Sequence, residues 1–328
     1  MTTAVKSSNI KDFFHRKQEV GLLSFEAATL LYILVSTVII LIEWKPLSSP
    51  WSMLGFRGLM IIGILATNLV YRYCPCKATV LLRVAIPFLG LIYWYPETYQ
   101  FCSVFEYKDH IFAHADYLLF GYQPSLLFSR YVDSTFWYEL FSMGYFSYYF
   151  MMIAMILFYF IARYEDFQRA SFVFLASFFL FYLIFDFLPV AGPQYYYCAN
   201  GEEMGSTALF PEMGHYFRDH TDILPLDVRG IFSRFVLDLQ EQGENPTAAF
   251  PSSHVGMALV TVLLARQTKN KTLFWILFTL FVILCFATVY LKAHYVVDSL
   301  AGLLFGGLFF YLCNKNYPWV AEKLHLKK

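Results

Sequence analysis

The segment Phe250–Gly302 reads FPSSHVGMALVTVLLARQTKNKTLFWILFTLFVILCFATVYLKAHYVVDSLAG. A polar start leads into an apolar run over 253–267. The basic stretch Arg266 to Lys271 then reverses the chain, and a second apolar run covers 272–291. His294 follows His254 by forty residues. That is the length of a helical hairpin that crosses a membrane and returns, so both histidines emerge at one membrane face. A further apolar run, 295–313, begins beside His294.

Working outward toward the N-terminus, the same criterion finds apolar runs at 24–43, 53–71, 79–96, 140–162 and 171–189. Eight spans in all predict an all-α, polytopic membrane helix bundle. The first run holds no charge from Leu30 to Ile42, whereas the second and third carry Arg57 and Arg83. The first 23 residues are polar, without the apolar core of a cleaved leader, so the first span is expected to stay as an anchor.

Composition agrees. Of 328 residues, 58% are apolar and 15% charged, and the mean hydropathy is +0.51. Soluble domains are nearer half apolar and a quarter charged, so a free-standing soluble enzyme is excluded. The 24 basic residues equal the 24 acidic ones, and no excess argues for nucleic acid. Aromatic residues at 20% exclude low-complexity disorder.

The cations set the orientation. With the N-terminus in the cytoplasm, 15 of the 24 fall on the inner side: Lys6, Lys11, Arg16, Lys17, Arg72, Lys77, Arg163, Arg169, Arg266, Lys269, Lys271, Lys315, Lys323, Lys327 and Lys328. Seven, spread over longer loops, fall outside: Lys45, Lys108, Arg130, Arg218, Arg229, Arg234 and Lys292. Both termini are then cytoplasmic, and the histidine face is extracytoplasmic, that is periplasmic or lumenal. The long outer loops are 97–139 and 190–252. The second holds a predicted amphipathic helix, Asp227 to Gln242, with Val228, Ile231, Phe232, Phe235, Val236 and Leu239 at helical spacing, lying on the membrane or over a cavity. The aromatic clusters Tyr145 to Phe150 and Tyr195 to Tyr197 read as interfacial belts. Gly302 and Gly306 fit close helix packing.

One composition break, the Cys-Pro-Cys turn at Cys74–Cys76, divides the chain. Residues 1–75 form a tail with two accessory spans, and 76–328 form a six-span core with long outer loops. Cys74 and Cys76 have no second ligand pair, so zinc is not expected. Cys102 and Cys198 are the only cysteines in outer loops, where a disulfide is permitted, and that pairing is predicted.

The chemistry gathers at the histidine face. His294 and Asp298 are i and i+4, on one side of the last span. A histidine held by a carboxylate presents its other nitrogen as a nucleophile, and His254 across the pocket can protonate a leaving alkoxide. Pro251 and Ser252 form a helix start, with Ser252 as cap, and a helix N-terminus binds phosphate. No metal is required.

Pro-Ser-Ser-His followed, after the hairpin, by Val-Tyr-Leu-Lys-Ala-His-Tyr-Val-Val-Asp-Ser-Leu-Ala-Gly resembles the type 2 phosphatidic acid phosphatase superfamily. The resemblance covers about 80–313, and its specific part is 250–302. It implies a six-helix core and phosphoester chemistry through a phosphohistidine, with no metal and no cofactor. Carried over, His294 resembles the nucleophile, Asp298 its orienting partner and His254 the general acid. Ser252 and Ser253 resemble the phosphate-binding pair, with Ser253 standing where glycine is usual.

The sequence also departs from the family. Ala287-Thr288 replaces the usual Ser-Arg before the nucleophile. Leu-Pro-Val-Ala-Gly-Pro-Gln, Leu188 to Gln194, replaces the usual first motif with its Lys and Arg-Pro. Both departures, and the block Asp116 to Pro124, are similar to the inositol phosphorylceramide synthase branch. That branch moves a phosphorylated head group between lipids and alcohols. With the motif arginines missing, Lys292 is the nearest candidate to bind phosphate, then Arg229 and Arg130. Arg57 and Arg83, inside spans, are functional or paired internally, with Asp186 as an available partner.

The expected function is therefore a membrane lipid phosphotransferase at the outer face. Its expected partners are lipid substrates, a phospholipid or lipid phosphate as donor and a ceramide-like lipid or other alcohol as acceptor. The alternatives are a lipid phosphate phosphatase acting on phosphatidate-like or polyprenyl phosphates, and a catalytically dead transporter or scaffold. An intact His254, His294 and Asp298 argues against the last.

Overall fold

The computed structural model describes residues 21–324. The terminal cations Lys6, Lys11, Arg16, Lys17, Lys327 and Lys328 of the orientation argument lie outside these. Among the described residues the protein is all α-helical, with twelve α-helices and no strand. Seven are long and apolar enough to cross a membrane: α1 (Ser24–Ile42), α2 (Pro50–Tyr73), α3 (Lys77–Glu97), α6 (Thr135–Ala162), α7 (Tyr164–Phe187), α11 (Lys271–Tyr290) and α12 (Val296–Lys323). The remaining predicted span is α10 (Ser253–Gln267), with the predicted ends. At 15 residues it is about 22 Å long, shorter than a lipid-facing span needs. It can be short because it is buried on almost every side, wrapped by α6, α7, α11 and α12.

Caps explain the helix edges. Ser134 Oγ accepts from Trp137 N over 3.4 Å, so α6 starts earlier than its apolar run. Asn270 Oδ1 accepts from Leu273 N over 3.1 Å and opens α11. Glu165 and Asp166 in the first turn of α7 suit its positive end and extend it to Tyr164. Ten polar-rich residues beyond 313 continue α12, where Tyr317 packs on Phe172 with ring centres 5.7 Å apart.

Four shorter helices connect the spans: α4 (Asp109–Phe120), α5 (Pro124–Tyr131), α8 (Pro193–Asn200) and α9 (Ile231–Gly243). They gather at the end of the bundle that holds His254 and His294. The opposite end is stitched by cations. Arg163 donates to Thr268 O over 2.7 Å, and Arg169 Nη1 reaches Gln267 Oε1 at 2.5 Å and Asn314 Oδ1 at 2.7 Å.

The predicted amphipathic helix is α9, and it begins at Ile231. It packs on α6, where Phe235 stacks on Phe146 at 4.9 Å. The Glu139 carboxylate on α6 accepts from Phe232 N at 2.9 Å and Ser233 N at 3.0 Å, so the cap comes from another helix. That fixes the start four residues later than the apolar spacing suggests.

Both span arginines are in internal ion pairs, but not with Asp186. Arg57 donates to both oxygens of Glu97 over 2.9 and 2.7 Å, and Arg83 to both oxygens of Glu26 over 2.7 and 2.5 Å. Each pair ties one of α1 and α2 to α3. The Cys102–Cys198 disulfide is not formed, and both are free thiols. Cys102 is buried in an apolar cluster with Tyr107, Val190 and Tyr195, whereas Cys198 is half-buried on α8 and outside that cluster.

Candidate active site

The turn between α11 and α12 presents His294. Lys292 takes a positive φ of 61°, which tightens the turn, and His294 N donates to Thr288 O over 3.0 Å. His294 Nδ1 lies 2.8 Å from Ala249 O. A carbonyl can only accept, so Nδ1 carries the proton and Nε2 keeps its lone pair. Asp298 Oδ2 stands 3.7 Å from the same Nδ1, beyond hydrogen-bond distance. Its hydrogen bond goes instead to Tyr295 N at 2.9 Å, capping α12, and Oδ1 has no partner among the described residues. Burial pushes the His294 imidazole down to about 4, so the ring is neutral near pH 7.

The start of α10 presents His254. Ser252 caps the helix, its Oγ accepting from Val255 N over 3.3 Å, as its position predicted. Its own amide donates to Asp298 O over 3.0 Å, joining the two helix starts. Gly302 permits this approach: a Cβ there would sit 2.5 Å from Ser252 O, and one at Gly306 2.5 Å from Gly256 O. His254 lies between Tyr145 and Tyr148, at ring-centre distances of 4.8 and 4.6 Å, and 5.7 Å from His294. Its Nε2 is buried without a partner among the described residues.

Two carboxylates on α4 hold the turn from the other side. Asp109 and Asp116, two helical turns apart, share a face. Asp109 accepts from Ala191 N at 2.9 Å, Gly192 N at 2.8 Å and Tyr295 Oη at 3.2 Å. Asp116 accepts from Val296 N at 2.8 Å and Val297 N at 3.0 Å. Burial pushes both carboxyls up to about 6, against the pull of these donors. The Leu188 to Gln194 loop is thereby laid on the His294 turn. Gly192 has φ +96°, a Cβ on it would meet Ala293 O at 2.7 Å, and Gln194 N donates to Lys292 O over 2.9 Å.

Between these elements lies a narrow cleft of about 300 Å³ counted with its open mouth, and its enclosed free space holds about one water. Its lining includes His254, His294, Tyr95, Tyr145, Gln194, Tyr195 and Glu244. Glu244 accepts from Tyr145 Oη over 2.7 Å and from Gln194 Nε2 over 3.2 Å. Burial raises its carboxyl above the ordinary range against those bonds. Among the described residues no lysine or arginine lines the cleft. Arg229 is paired with Asp133 and Asp227, Arg130 with Glu202, and Arg57 and Arg83 as above.

Of the predicted site residues, the structure brings His254 and His294 together in the cleft, with Asp298 behind His294. Ser252 and Ser253 lie at the α10 start without lining it, and Lys292 sits on the turn. Among the described residues no three metal-ligating side chains cluster. Sequence reasoning missed Glu244, Asp109 and the bonding role of Asp116. It also read Tyr145 and Tyr195 to Tyr197 as interfacial belts, whereas these side chains are buried against the site. A helix-bound acidic pair at i and i+7 was the one signal available for the α4 clamp.

No match to a curated protein or a solved structure was found. A family model described as the PAP2 superfamily matches residues 110–312, from within α4 to the last span, and takes in Asp116, both histidines and Asp298. That match covers well over half of the chain: the protein belongs to the PAP2 superfamily.

Proposed function

We propose that the protein is an integral-membrane lipid phosphotransferase that moves a phosphate or a phosphorylated head group through a phosphohistidine on His294. The observation that carries this reading is the pair of rings, His254 and His294, 5.7 Å apart in one buried cleft.

In the proposed first step, His294 Nε2 uses its lone pair to bond phosphorus. The P–O bond to the lipid alcohol breaks, and the leaving oxygen takes a proton from protonated His254. The phosphorylated imidazole retains Nδ1–H and is cationic. The Ala249 carbonyl and the Asp298 carboxylate stand on that side of the ring and favour this charge. In the second step an acceptor alcohol attacks phosphorus, its proton returns to His254, and the N–P bond breaks. Water in place of the alcohol would make the same site a phosphatase. Ser252 and Ser253, at the positive end of α10, and Lys292 are the phosphate-holding groups of this reading.

The cleft is proposed to open to the extracytoplasmic face, with both termini in the cytoplasm. The support is the cation distribution: Arg163, Arg169, Arg266, Lys269 and Lys271 lie at the bundle end opposite the histidines. Purified protein incubated with phospholipid, with and without an acceptor alcohol, followed by lipid mass spectrometry, tests the reading. Transfer predicts a new phosphorylated lipid only when the alcohol is present. Donor loss that ignores the alcohol would make it a phosphatase, and no donor loss would reject both.

A further inference from the structure

The charge of the cleft and the aromatic rings around its carboxylate go beyond that reading. A phosphomonoester dianion placed against His254 and His294 would meet the half-buried carboxyl of Glu244 and, among the described residues, no lysine or arginine in the lining, with protonated His254 as the one cation of the cleft. Two negative charges beside a carboxylate are then only partly compensated, which is unfavourable in a semi-buried cleft. A phosphodiester bearing a cation in its head group has no net charge. Its phosphate can sit at the histidines and its cation at Glu244.

We propose that Glu244, with the rings of Tyr95, Tyr145 and Tyr195, forms a receptor for an ammonium head group, so that the phosphate donor is a zwitterionic phosphodiester lipid of the choline or ethanolamine type. This rests on the phosphotransfer reading for the word donor, and on the cleft alone for the binding site.

The cleft offers one group for each end of such a head group, which would enter through the open mouth. Tyr145 presents its ring to His254 at 4.8 Å while its hydroxyl donates to Glu244 over 2.7 Å. One tyrosine side chain therefore touches both the phosphate side and the carboxylate side of the cleft. Glu244 is held from three directions: by Tyr145, by Gln194 Nε2, and through its backbone oxygen by Tyr195 Oη at 3.2 Å. Gln194 is itself fixed by Gln240 Nε2 at 2.9 Å. The carboxylate has more lone pairs than these two side-chain donors use. Tyrosine faces attract ammonium ions, and more strongly where water is excluded. An inositol or glycerol head group carries no cation and gains none of this.

The test uses the full-length protein in detergent and two soluble short-chain lipids, dihexanoyl phosphatidylcholine and dihexanoyl phosphatidylglycerol. Calorimetric titration should give the choline lipid an advantage of about tenfold or more. Glu244→Gln should erase most of that advantage without weakening the glycerol lipid. Tyr145→Phe, which keeps the ring and loses one bond to Glu244, should reduce it partly. His294→Ala should retain the preference and lose turnover. Equal binding of the two lipids by the wild type, binding of neither, or an equal loss of both in Glu244→Gln overturns the inference. Transfer from the glycerol lipid alone would overturn it and leave the phosphotransfer reading standing. A choline preference together with undiminished turnover in His294→Ala would do the reverse.

Discussion

Ser252 N donates to Asp298 O over 3.0 Å, so the helix that carries His254 and the helix that follows His294 are joined at their first turns. The distance between the two histidine rings is thus set by how closely α10 and α12 cross, and that crossing is set by small residues.

Gly302 is the sensitive point. A methyl group there must displace Ser252 O, which is backbone and cannot rotate away. Gly302→Ala should destabilise the protein by about 1–3 kcal/mol and reduce turnover beyond what the loss of folded protein explains. Gly55→Ala, where nothing lies within 4 Å, is the control. Thermal melts with activity per folded molecule measure both.

The α4 clamp predicts a pH effect with a definite sign. The folded-state values of Asp109 and Asp116, about 6, stand above the ordinary aspartate value of about 3.9. The native state therefore holds these protons more tightly than the unfolded chain. The contribution is complete below about pH 4 and is lost as pH rises through about 6. Melting temperature measured from pH 4 to 7 should fall less steeply in Asp109→Asn and Asp116→Asn than in the wild type. Asp116→Ala leaves two amides unbonded and should cost about 1–3 kcal/mol.

The buried pair Arg83–Glu26 gives a prediction away from the site. Arg83→Met strands a carboxylate between α1 and α3 and should cost about 3–5 kcal/mol. Glu26→Gln combined with Arg83→Met should recover much of that. A double-mutant cycle by chemical denaturation reads the coupling, and additive losses would show that the pair is not held as described.

Membrane orientation is testable against an internal reference. Cys74 is exposed at the end opposite the histidines, and Ser206 is exposed in the long loop before α9. In intact cells a charged thiol reagent should label Ser206→Cys, and should reach Cys74 only after lysis. The opposite pattern would put the cleft on the cytoplasmic side.

The parts of this site that were legible in sequence are those built from local spacing. His294 and Asp298 are four residues apart and meet, although His294 lies in the turn before α12 and not on the helix as the spacing suggested; His254 is one hairpin away, and Ser252 is a capping residue directly before an apolar run. What stayed hidden depends on which distant element fills the space behind that turn. Asp109 and Asp116 act through backbone amides, which carry no residue-type signal. Glu244 becomes a cleft residue only because Glu139 caps α9 and so fixes its course over α6. Tyr145 and Tyr195 have the composition of an interfacial belt, and only their burial separates the two readings. Arg57 and Arg83 could be expected to be paired, but Glu97 and Glu26 lie 40 and 57 residues away from them in sequence.

The most direct test of the whole account is covalent. Protein incubated with a donor lipid labelled at phosphorus, quenched and separated from lipid, should carry label that is stable to base and released by acid, as a phosphohistidine is. The label should be present in the wild type and absent in His294→Ala. His254→Ala should still form it, about 10²–10⁴-fold more slowly, because a general acid is lost and the nucleophile is not. Equal labelling of His294→Ala would contradict the assignment of His294 and the mechanism built on it.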